Sequence, residues 1–270
     1  MSTQNSMTET DHRCLSVVVP AYNEAATIEH VVQQLLTLSQ VLEVIIVDDC
    51  SSDRTPEVLQ RLTKQYPAVR TVRHQKNSGK TEALKTGFAL TQGEIVIVQD
   101  ADLEYDPRDI PEVIRPILEG NADVVYGSRF LVRRAARVLY FYHYLANKFL
   151  TFTSNTLTNL NMTDVETGYK AFRGEIIRNM IVTSSGFGFE IEVTAKLAKL
   201  RCRVYEVPIS YYGRTYEEGK KIGMKDGLQA CWLVLRFNLF CGLNSSFRQV
   251  PSRHNQTENF SPAELKQISK

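Results

Sequence analysis

The chain has 270 residues, of which 43% are hydrophobic, 23% charged and 9% aromatic. This length fits one α/β domain with a small extra segment, and the composition excludes a disordered chain, a collagen-like chain and a disulfide-stapled miniprotein. The 32 basic and 30 acidic residues give a net charge of +2, so no strong global field attracts nucleic acid. The five scattered cysteines form no CxxC pair, which argues against structural zinc and favours a reduced, cytoplasmic setting.

Three regions are predicted along the chain. The polar residues 1–13 lack the pattern of a signal peptide, and we expect them to form a disordered tail. Residues 14–243 are expected to form a single domain with two halves, 14–130 and 131–243. The polar residues 244–270 are expected to form a second disordered tail.

Short β-branched runs alternate with amphipathic segments in the first half. Strands are predicted at residues 15–19, 43–47, 69–73, 94–98 and 122–126. Helices are predicted after the cap residue Thr27, from Pro56 onward, over 80–90 and over 110–119. This order predicts an α/β fold with a mostly parallel sheet and helices on both faces.

Polar residues follow each predicted strand, at 20–24, 48–55, 77–80, 99–102 and 127–129. Parallel α/β sheets bind ligands at the carboxyl ends of their strands, so these residues are expected to share one edge. For any single segment a polar turn or helix cap is the alternative interpretation. Five such segments at one edge favour a binding site.

Asp100-Ala101-Asp102 carries the clearest chemistry. Alternate residues at the end of a strand bring two carboxylates near one hard cation, directly or through water. Mg²⁺ and Mn²⁺ prefer oxygen ligands and often bridge carboxylates to substrate phosphates. We therefore predict a Mg²⁺ or Mn²⁺ site at Asp100 and Asp102. Asp106 is interpreted as a turn residue before Pro107.

Four segments together resemble the nucleotide-sugar half of an inverting family 2 glycosyltransferase. They are 17–24 (VVVPAYNE), 47–53 (VDDCSSD), 77–80 (NSGK) and 100–102 (DAD). Later segments resemble the branch that transfers sugars to dolichyl or polyprenyl phosphate. These are 164–170 (DVETGYK), 188–192 (GFEIE), 207–209 (VPI) and 214–221. The resemblance covers about residues 15–239.

This resemblance implies a GT-A, Rossmann-like fold with amphipathic interfacial helices at its C-terminal end. Residues 14–130 become the nucleotide-sugar half, and residues 131–243 the half that faces the acceptor and the membrane. Two positions depart from the family pattern, because Cys50 and Thr81 stand where relatives usually carry glycine. Many relatives also have transmembrane helices, which this sequence lacks.

The resemblance also implies residues that bind the nucleoside. Pro20, Tyr22 and Glu24 are expected beside it. Asp49 is expected to hold the uracil or guanine base, with Asp48 supporting the loop. Stopping the strand is the alternative role for Pro20.

Further residues are expected at the diphosphate. Lys80 begins a helix beside Gly79, which offers backbone N–H groups and a cation to a phosphate. Asp100, Ala101 and Asp102 form the metal motif, and Arg129 is placed to meet a phosphate. A solvated surface charge is the alternative for both cations.

The acceptor decides which groups are catalytic. If a hydroxyl attacks, Asp164 and Glu190 are the candidate general bases. If a lipid phosphate attacks, it is already largely anionic at pH 7 and needs little base catalysis. Asp164 then orients the acceptor or takes a residual proton, and Arg214 grips phosphate. The cations available to the phosphates are Arg129, Arg133, Arg134, Arg137, Arg214 and Lys221. This surplus of cations favours a lipid phosphate over a hydroxyl as the acceptor.

Two basic and aromatic stretches indicate a membrane surface. Residues 124–163 contain no acid, and an arginine cluster precedes the aromatic run 138–145. Residues 228–243 are rich in aromatic and leucine side chains but are too short for a roughly 20-residue membrane span. We interpret both as lying on an anionic bilayer. The alternatives are core helices or a dimer contact. Stacking on single-stranded nucleic acid fits less well, because the acidic metal motif repels phosphodiesters.

The sequence thus predicts metal-dependent, inverting transfer of a hexose from GDP-mannose or UDP-glucose to polyprenyl or dolichyl phosphate. The site is expected at the cytoplasmic face of a membrane, with no nucleic acid partner. A family 2 transferase acting on a glycan or protein hydroxyl is the main alternative, and a non-catalytic membrane scaffold is a weaker one. A dinucleotide oxidoreductase is disfavoured, because no GxGxxG follows the first strand. The sequence leaves open whether the chain forms a homo-oligomer.

Overall fold

A computed structural model describes residues 13–131, 138, 140–186, 188–213 and 224–251, with only the backbone over 224–228. Seven strands form one sheet in the order β3-β2-β1-β4-β6-β5-β7. The strands are β1 Leu15–Ala21, β2 Val41–Asp48, β3 Val69–Arg73, β4 Ile95–Val98, β5 Val124–Ser128, β6 Lys170–Arg173 and β7 Val204–Pro208. Strand β6 runs antiparallel to β4 and β5, and the other pairs are parallel.

Eight helices are described, together with a 3-10 turn over Pro107–Asp109. The helices are α1 Ile28–Leu35, α2 Thr55–Gln65, α3 Lys80–Leu90, α4 Ile110–Leu118, α5 Phe141–Thr158, α6 Gly174–Asn179, α7 Phe189–Leu200 and α8 Met224–Leu239. The two faces of the sheet carry separate cores, because successive strand residues point to opposite sides. Val17 and Val19 pack with α1, α2 and α4, whereas Val18 packs with α3, α6 and α7. The predicted α/β fold with helices on both faces is confirmed.

Strand β6 is the main feature that the sequence pattern did not predict. It has only four residues, begins at a lysine and ends at an arginine, so it lacks a long apolar run. Thr27 does occupy the N-cap position of α1, but its hydroxyl makes no cap hydrogen bond. It donates instead to the Glu24 carboxylate at 2.9 Å.

A third layer covers α7. Leu233, Val234 and Phe237 of α8 pack against Ile191 and Ala195 of α7. One face of α8 is therefore docked on the domain, which was the alternative interpretation for this segment. The ordered chain also continues beyond the predicted end of the domain at residue 243.

Residues 244–251 belong to the fold, in contrast to the disordered tail predicted from residue 244. Phe247 is buried and forms a β-bridge with Met180. The backbone N–H of Ile181 donates to the carbonyl of Ser246 at 2.9 Å. A single buried aromatic anchor in a polar segment gives little periodic signal, which explains the difference.

Gly87 lets α3 pack closely on β1, and this contact fixes the helix that begins at Lys80. A Cβ atom on Gly87 would lie 2.3 Å from Cγ1 of Val18, a stiff side chain on a buried strand. Overpacking costs about 1–3 kcal/mol, whereas alanine gains at most about 1 kcal/mol in helix propensity. We expect Gly87→Ala to lower the free energy of unfolding by about 1–2 kcal/mol in urea denaturation.

Gly242→Ala is the matched control, because its Cβ would meet only Ser245 Oγ at 3.7 Å. It is expected to leave stability nearly unchanged. A Gly87→Ala variant as stable as the unmodified chain would contradict the predicted close contact.

Candidate functional site

The loops after β1 and β2 are joined by hydrogen bonds into one surface. Asn23 has a left-handed backbone with φ 58°, and its Oδ1 accepts from the backbone N–H of Ser52 at 2.8 Å. The N–H of Asn23 donates to Ser51 Oγ, and that of Glu24 donates to Thr55 Oγ1, both at 2.9 Å. Asn23 was not singled out from the sequence, although its position in the 17–24 motif could have indicated this role.

Asp49 is an anchor inside the protein. Its Oδ1 accepts from Ser78 N at 2.9 Å and faces His74 Nδ1 at 2.7 Å. Its Oδ2 accepts from Gly79 N at 2.6 Å and Ser78 N at 3.0 Å. Three donors, one of them shared by both oxygens, therefore hold this carboxylate inside the protein. The predicted contact of Asp49 with a nucleotide base stays a prediction.

Asp48 has the opposite pattern. Its Oδ1 accepts from Ser51 N at 2.9 Å, but its buried Oδ2 makes no hydrogen bond. That oxygen lies 3.2 Å from Arg73 Nε. The loop-supporting role predicted for Asp48 is therefore shared with Asp49. Of the residues predicted to lie beside the nucleoside, Pro20 is in β1, paired with Val47 of β2, and Tyr22 is exposed.

The departures from the family pattern have local causes. Cys50 adopts φ 64°, a conformation that glycine adopts at no steric cost. Thr81 uses its hydroxyl, which donates to the carbonyl of Gly186 at 2.8 Å. This bond attaches the start of α3 to the loop before α7.

Lys80 lies between two carboxylates. Its Nζ is 2.8 Å from Asp100 Oδ1 and 3.7 Å from Glu190 Oε1. Burial alone would lower the pKa of Lys80, but the charges of Asp100 and Glu190 outweigh it and raise the pKa above its usual value. Three predicted site residues, from the loop after β4 and from the first turns of α3 and α7, are thus brought together.

The Asp100-Ala101-Asp102 turn leaves room for a cation. A Cβ on Gly168 would lie 2.8 Å from Asp100 Oδ2, so glycine keeps that carboxylate accessible. Ala101 is buried, and Asp102 Oδ1 accepts from Glu104 N at 3.2 Å. Within the described ranges, no three His, Cys, Asp or Glu side chains converge as a metal site. Two carboxylates fit a hard cation whose other ligands come from phosphate oxygens and water.

Arg129 and Asp164 form a largely buried, bidentate ion pair. Arg129 Nε and Nη2 donate to Asp164 Oδ2 and Oδ1, both at 2.7 Å, and the Arg129 N–H donates to Oδ2 at 3.1 Å. Burial alone would raise the pKa of Asp164, but the Arg129 charge and hydrogen bonds hold it below the usual value. The lowered pKa makes Asp164 a weaker base than a free carboxylate, and its predicted roles as general base or as a residue that orients the acceptor stay predictions.

Two ionisable residues near this pair, one partly and one fully buried, were missed by the sequence reasoning. Glu166 and Lys170 lie in the quoted 164–170 motif but were assigned no role. Burial lowers the pKa of Lys170 to about 8, and its Nζ donates to the carbonyls of Val165 and Thr167. Burial, together with the charge of Glu190, raises the pKa of Glu166 to about 7.

The loop after β7 contacts the metal loop, residues 99–106, which follows β4 and contains Asp100 and Asp102. Tyr211 donates its hydroxyl to Glu104 Oε2 at 2.9 Å, and the Tyr212 N–H donates to the Glu104 carbonyl at 2.8 Å. The guanidinium of Arg129 lies 5.2 Å from the centre of the Tyr211 ring. The other cations predicted to bind the acceptor and the phosphates lie outside the described residues; they are Arg133, Arg134, Arg137, Arg214 and Lys221.

Helices α5 and α8 present apolar side chains outward. On α5 the exposed residues recur at helical spacing: Phe141, Leu145, Phe149 and Phe152. Trp232, Leu235 and Leu239 do the same on α8. Exposed apolar surface of this kind marks an interaction site. Over the described ranges, no helix has the length and hydropathy required to span a bilayer.

The model of the family described as "Glycosyl transferase family 2" matches residues 16–181 of this chain. The chain belongs to this family. A dolichol-phosphate mannosyltransferase of Pyrococcus furiosus is 32% identical over 213 residues, covering 77% of this chain and 59% of that protein. An undecaprenyl-phosphate mannosyltransferase of Micrococcus luteus is 28% identical over 242 residues, covering 82% of this chain and 97% of that protein.

Solved structures confirm the fold. Glucosyl-3-phosphoglycerate synthase of Mycobacterium tuberculosis in complex with UDP has a TM-score of 0.63 and 22% identity, covering 83% of this chain and 80% of its own. The same enzyme with Mn²⁺, UDP-glucose and phosphoglyceric acid also has a TM-score of 0.63, at 24% identity, with 83% and 79% covered. At this identity the likeness establishes the GT-A fold.

The Arg129–Asp164 pair predicts a pH-dependent stability. Removing one partner of a buried pair costs about 3–5 kcal/mol, so we expect Asp164→Asn to lower the free energy of unfolding by about 3 kcal/mol. Because the pKa of Asp164 is depressed on folding, its contribution is present above the unfolded pKa of about 4 and is lost as pH falls through the folded pKa. Urea denaturation at several pH values measures this.

The difference between the unmodified chain and Asp164→Asn is expected to stay constant above about pH 5 and to shrink below about pH 4. The exposed Glu57→Gln is the control, with an expected change within about 0.5 kcal/mol. A difference that persists unchanged to about pH 3 would contradict the assignment of Asp164 as the ionised partner.

Proposed function

We propose that the chain transfers a hexose, mannose or glucose, from a nucleoside-diphosphate sugar to dolichyl or polyprenyl phosphate at the cytoplasmic face of a membrane. The observation that carries the proposal is the set of largely buried, ion-paired cations at the carboxyl edge of the sheet, with Lys80 on Asp100 and Arg129 on Asp164. Two relatives named as polyprenyl-type phosphate mannosyltransferases support the acceptor class.

The donor end of the site is supported by the joined loops after β1 and β2. They offer Glu24 beside the nucleoside, together with Asp48, whose buried Oδ2 pairs with Arg73 Nε at 3.2 Å but accepts no hydrogen bond. An N–H group of a base or a ribose hydroxyl would supply a hydrogen bond to this loop. GDP-mannose and UDP-glucose both satisfy this chemistry. The fold neighbours were crystallised with UDP and UDP-glucose, and the relatives are named for mannose.

Asp100 and Asp102 would hold Mg²⁺ or Mn²⁺ together with diphosphate oxygens, as the two-carboxylate arrangement fits. A bound divalent cation would neutralise the charge that develops on the leaving diphosphate. Lys80, which touches Asp100 at 2.8 Å, would place a second positive charge at the same phosphates. A fold neighbour crystallised with Mg²⁺ and UDP supports this choice of cofactor.

The acceptor phosphate would meet Arg129. Its guanidinium is held in place by Asp164 and lies against the Tyr211 ring, so little side-chain entropy is lost on binding. A phosphate oxygen would attack C1 of the sugar opposite the diphosphate, which gives an inverted lipid monophosphate sugar. Arg133, Arg137, Arg214 and Lys221 are proposed to supply further charge to the two sets of phosphates.

A transfer assay tests this proposal. The chain is incubated with a panel of nucleoside-diphosphate sugars, Mg²⁺ or Mn²⁺ and a short polyprenyl phosphate, and the products are identified by mass spectrometry. We expect one donor to give a lipid monophosphate hexose. Asp102→Ala is expected to lower the rate by about 1,000-fold or more while leaving the thermal unfolding curve unchanged, because it removes a metal ligand.

Two outcomes would contradict the proposal. Metal-dependent hydrolysis of the donor without a lipid product would indicate a hydroxyl acceptor. Full activity of Asp102→Ala would contradict the metal assignment. Asp109→Ala is a matched control, since Asp109 is an aspartate that follows the metal loop and binds Ser210 N.

The outward face of α5 is proposed to lie on the membrane. Phe149 and Phe152 are 59% and 71% exposed, and burying an aromatic side chain gains about 1.5–3 kcal/mol. We expect Phe149→Ser combined with Phe152→Ser to weaken binding to anionic vesicles by about tenfold or more. Vesicle flotation measures the bound fraction.

Leu118→Ser is the control, because Leu118 is 48% exposed on α4, away from α5 and α8. It is expected to leave vesicle binding unchanged. Equal losses in the two variants, or no loss in either, would remove the case for α5 as the membrane face.

A further inference from the structure

Tyr211 contacts both halves of the proposed reaction centre. It lies in the loop after β7, and its hydroxyl donates to Glu104 Oε2 of the metal loop at 2.9 Å. The guanidinium of Arg129 lies over its ring, 5.2 Å from the ring centre. Arg129 is the residue proposed to meet the acceptor phosphate, whereas the metal loop carries the carboxylates proposed to hold the cation. One side chain therefore contacts the supports of both substrates.

The backbone holds this side chain against the metal loop. Tyr105 and Tyr211 form an antiparallel β-bridge, and the N–H of Tyr212 donates to the carbonyl of Glu104 at 2.8 Å. The rings of Tyr105 and Tyr211 pack with their centres 5.2 Å apart. A shift of the loop after β7 along the metal loop would break these contacts together.

The sheet itself does not fix the spacing between the two supports. The metal loop follows β4 and Arg129 follows β5, but β6 lies between these two strands in the sheet. Strand pairing therefore does not join the end of β4 directly to the end of β5. Tyr211 spans this gap with one ring and one hydroxyl.

The hydroxyl of Tyr211 is suited to a fixed contact rather than to proton transfer. Burial, followed by the neighbouring Tyr105 and Glu104, raises the pKa of Tyr211 above its usual value. The hydroxyl therefore keeps its proton at neutral pH and remains a donor to Glu104. A hydrogen bond to a carboxylate is stronger than one between neutral groups, and the ring attracts the guanidinium above it.

We propose that Tyr211 is a positioning residue that aligns the acceptor phosphate with the donor sugar. This inference rests on the proposed function. In-line attack needs the phosphate oxygen about 3–3.5 Å from C1 of the sugar, and a misplacement of about 1 Å costs about 100-fold in rate. The ring of Tyr211 holds Arg129 and its hydroxyl holds the metal loop, so the supports of the two substrates keep one spacing.

The test separates transfer of the sugar from hydrolysis of the donor by water. The full chain and its Tyr211→Phe variant receive Mg²⁺ and the donor that the unmodified chain uses, with and without a short polyprenyl phosphate. Phenylalanine keeps the ring beneath Arg129 and removes the hydrogen bond to Glu104. We expect kcat for transfer to fall about 10-fold, because alignment is partly lost. Donor hydrolysis is expected to stay unchanged, because water needs no alignment by Arg129.

Two binding and stability measurements accompany the rates. Calorimetry with the nucleoside diphosphate and Mg²⁺ is expected to give the same affinity in both proteins, and their thermal unfolding curves are expected to coincide. Tyr205→Phe is the matched control, since Tyr205 is an exposed tyrosine of β7. It is expected to leave transfer and hydrolysis unchanged.

Two further variants assign the loss to particular contacts. Tyr211→Leu also removes the ring under Arg129, and we expect it to raise KM for the acceptor about threefold or more, an effect absent from Tyr211→Phe. Glu104→Ala combined with Tyr211→Phe is expected to lose no more transfer than Glu104→Ala alone, because both changes break the same hydrogen bond.

The outcomes distinguish the inference from the proposed function. Equal losses of transfer and of donor binding or hydrolysis in Tyr211→Phe would mean that the tyrosine supports the donor site or the fold in general. The inference would then fail while the proposed function stands. Unchanged transfer in Tyr211→Phe would also overturn the inference alone. No lipid product from the unmodified chain would overturn the proposed function and, with it, the inference.

Discussion

The geometry of the site depends on the ion pair between Arg129 and Asp164. Arg129 follows the end of β5, and Asp164 lies in a long loop, so the pair joins segments that are 35 residues apart. Glu206 of β7 accepts from the backbone N–H of Asp164 at 3.2 Å on the other side. Breaking such a buried pair is costly, because one charge would be left without compensation. The loop is therefore held where its later residues are needed.

Those later residues complete the metal loop. Gly168 lies against Asp100 so closely that a Cβ would be 2.8 Å from its carboxylate. The Gly168 N–H donates to the Tyr105 hydroxyl at 2.8 Å, and the Tyr105 ring packs 5.2 Å from the Tyr169 ring. The ion pair thus positions the loop, and the loop positions the carboxylate proposed to bind the cation. A defect at Asp164 would reach the donor site without any direct contact.

The sequence was sufficient for features that depend on local patterns. Four of the five predicted strands are buried and rich in β-branched residues, β3 is only partly buried, and Asp100 and Asp102 follow β4 in a turn. It was not sufficient for features that arise from tertiary contact. Asp49 and Asp48 are adjacent, and only the position of residues 77–79 decides which of them has its acceptors filled. The pKa of Glu166 is similarly raised by burial and by the charge of Glu190 of α7, neither of which the local sequence shows.

The charge of the site supports the proposal that a metal and further cations take part. Lys80, Arg129 and Lys170 contribute three positive charges, and four acids face them: Asp100, Asp164, Glu166 and Glu190. With all of them ionised, the cluster is negative before any substrate binds. A diphosphate donor and a phosphate acceptor would add more negative charge in a partly buried space, where Coulomb repulsion is poorly screened. Protonation of Glu166 would remove one charge, and a divalent cation at Asp100 and Asp102 would offset two more. In the sequence, the basic residues of 132–137 and 214–221 are a further source of positive charge for the proposed phosphates.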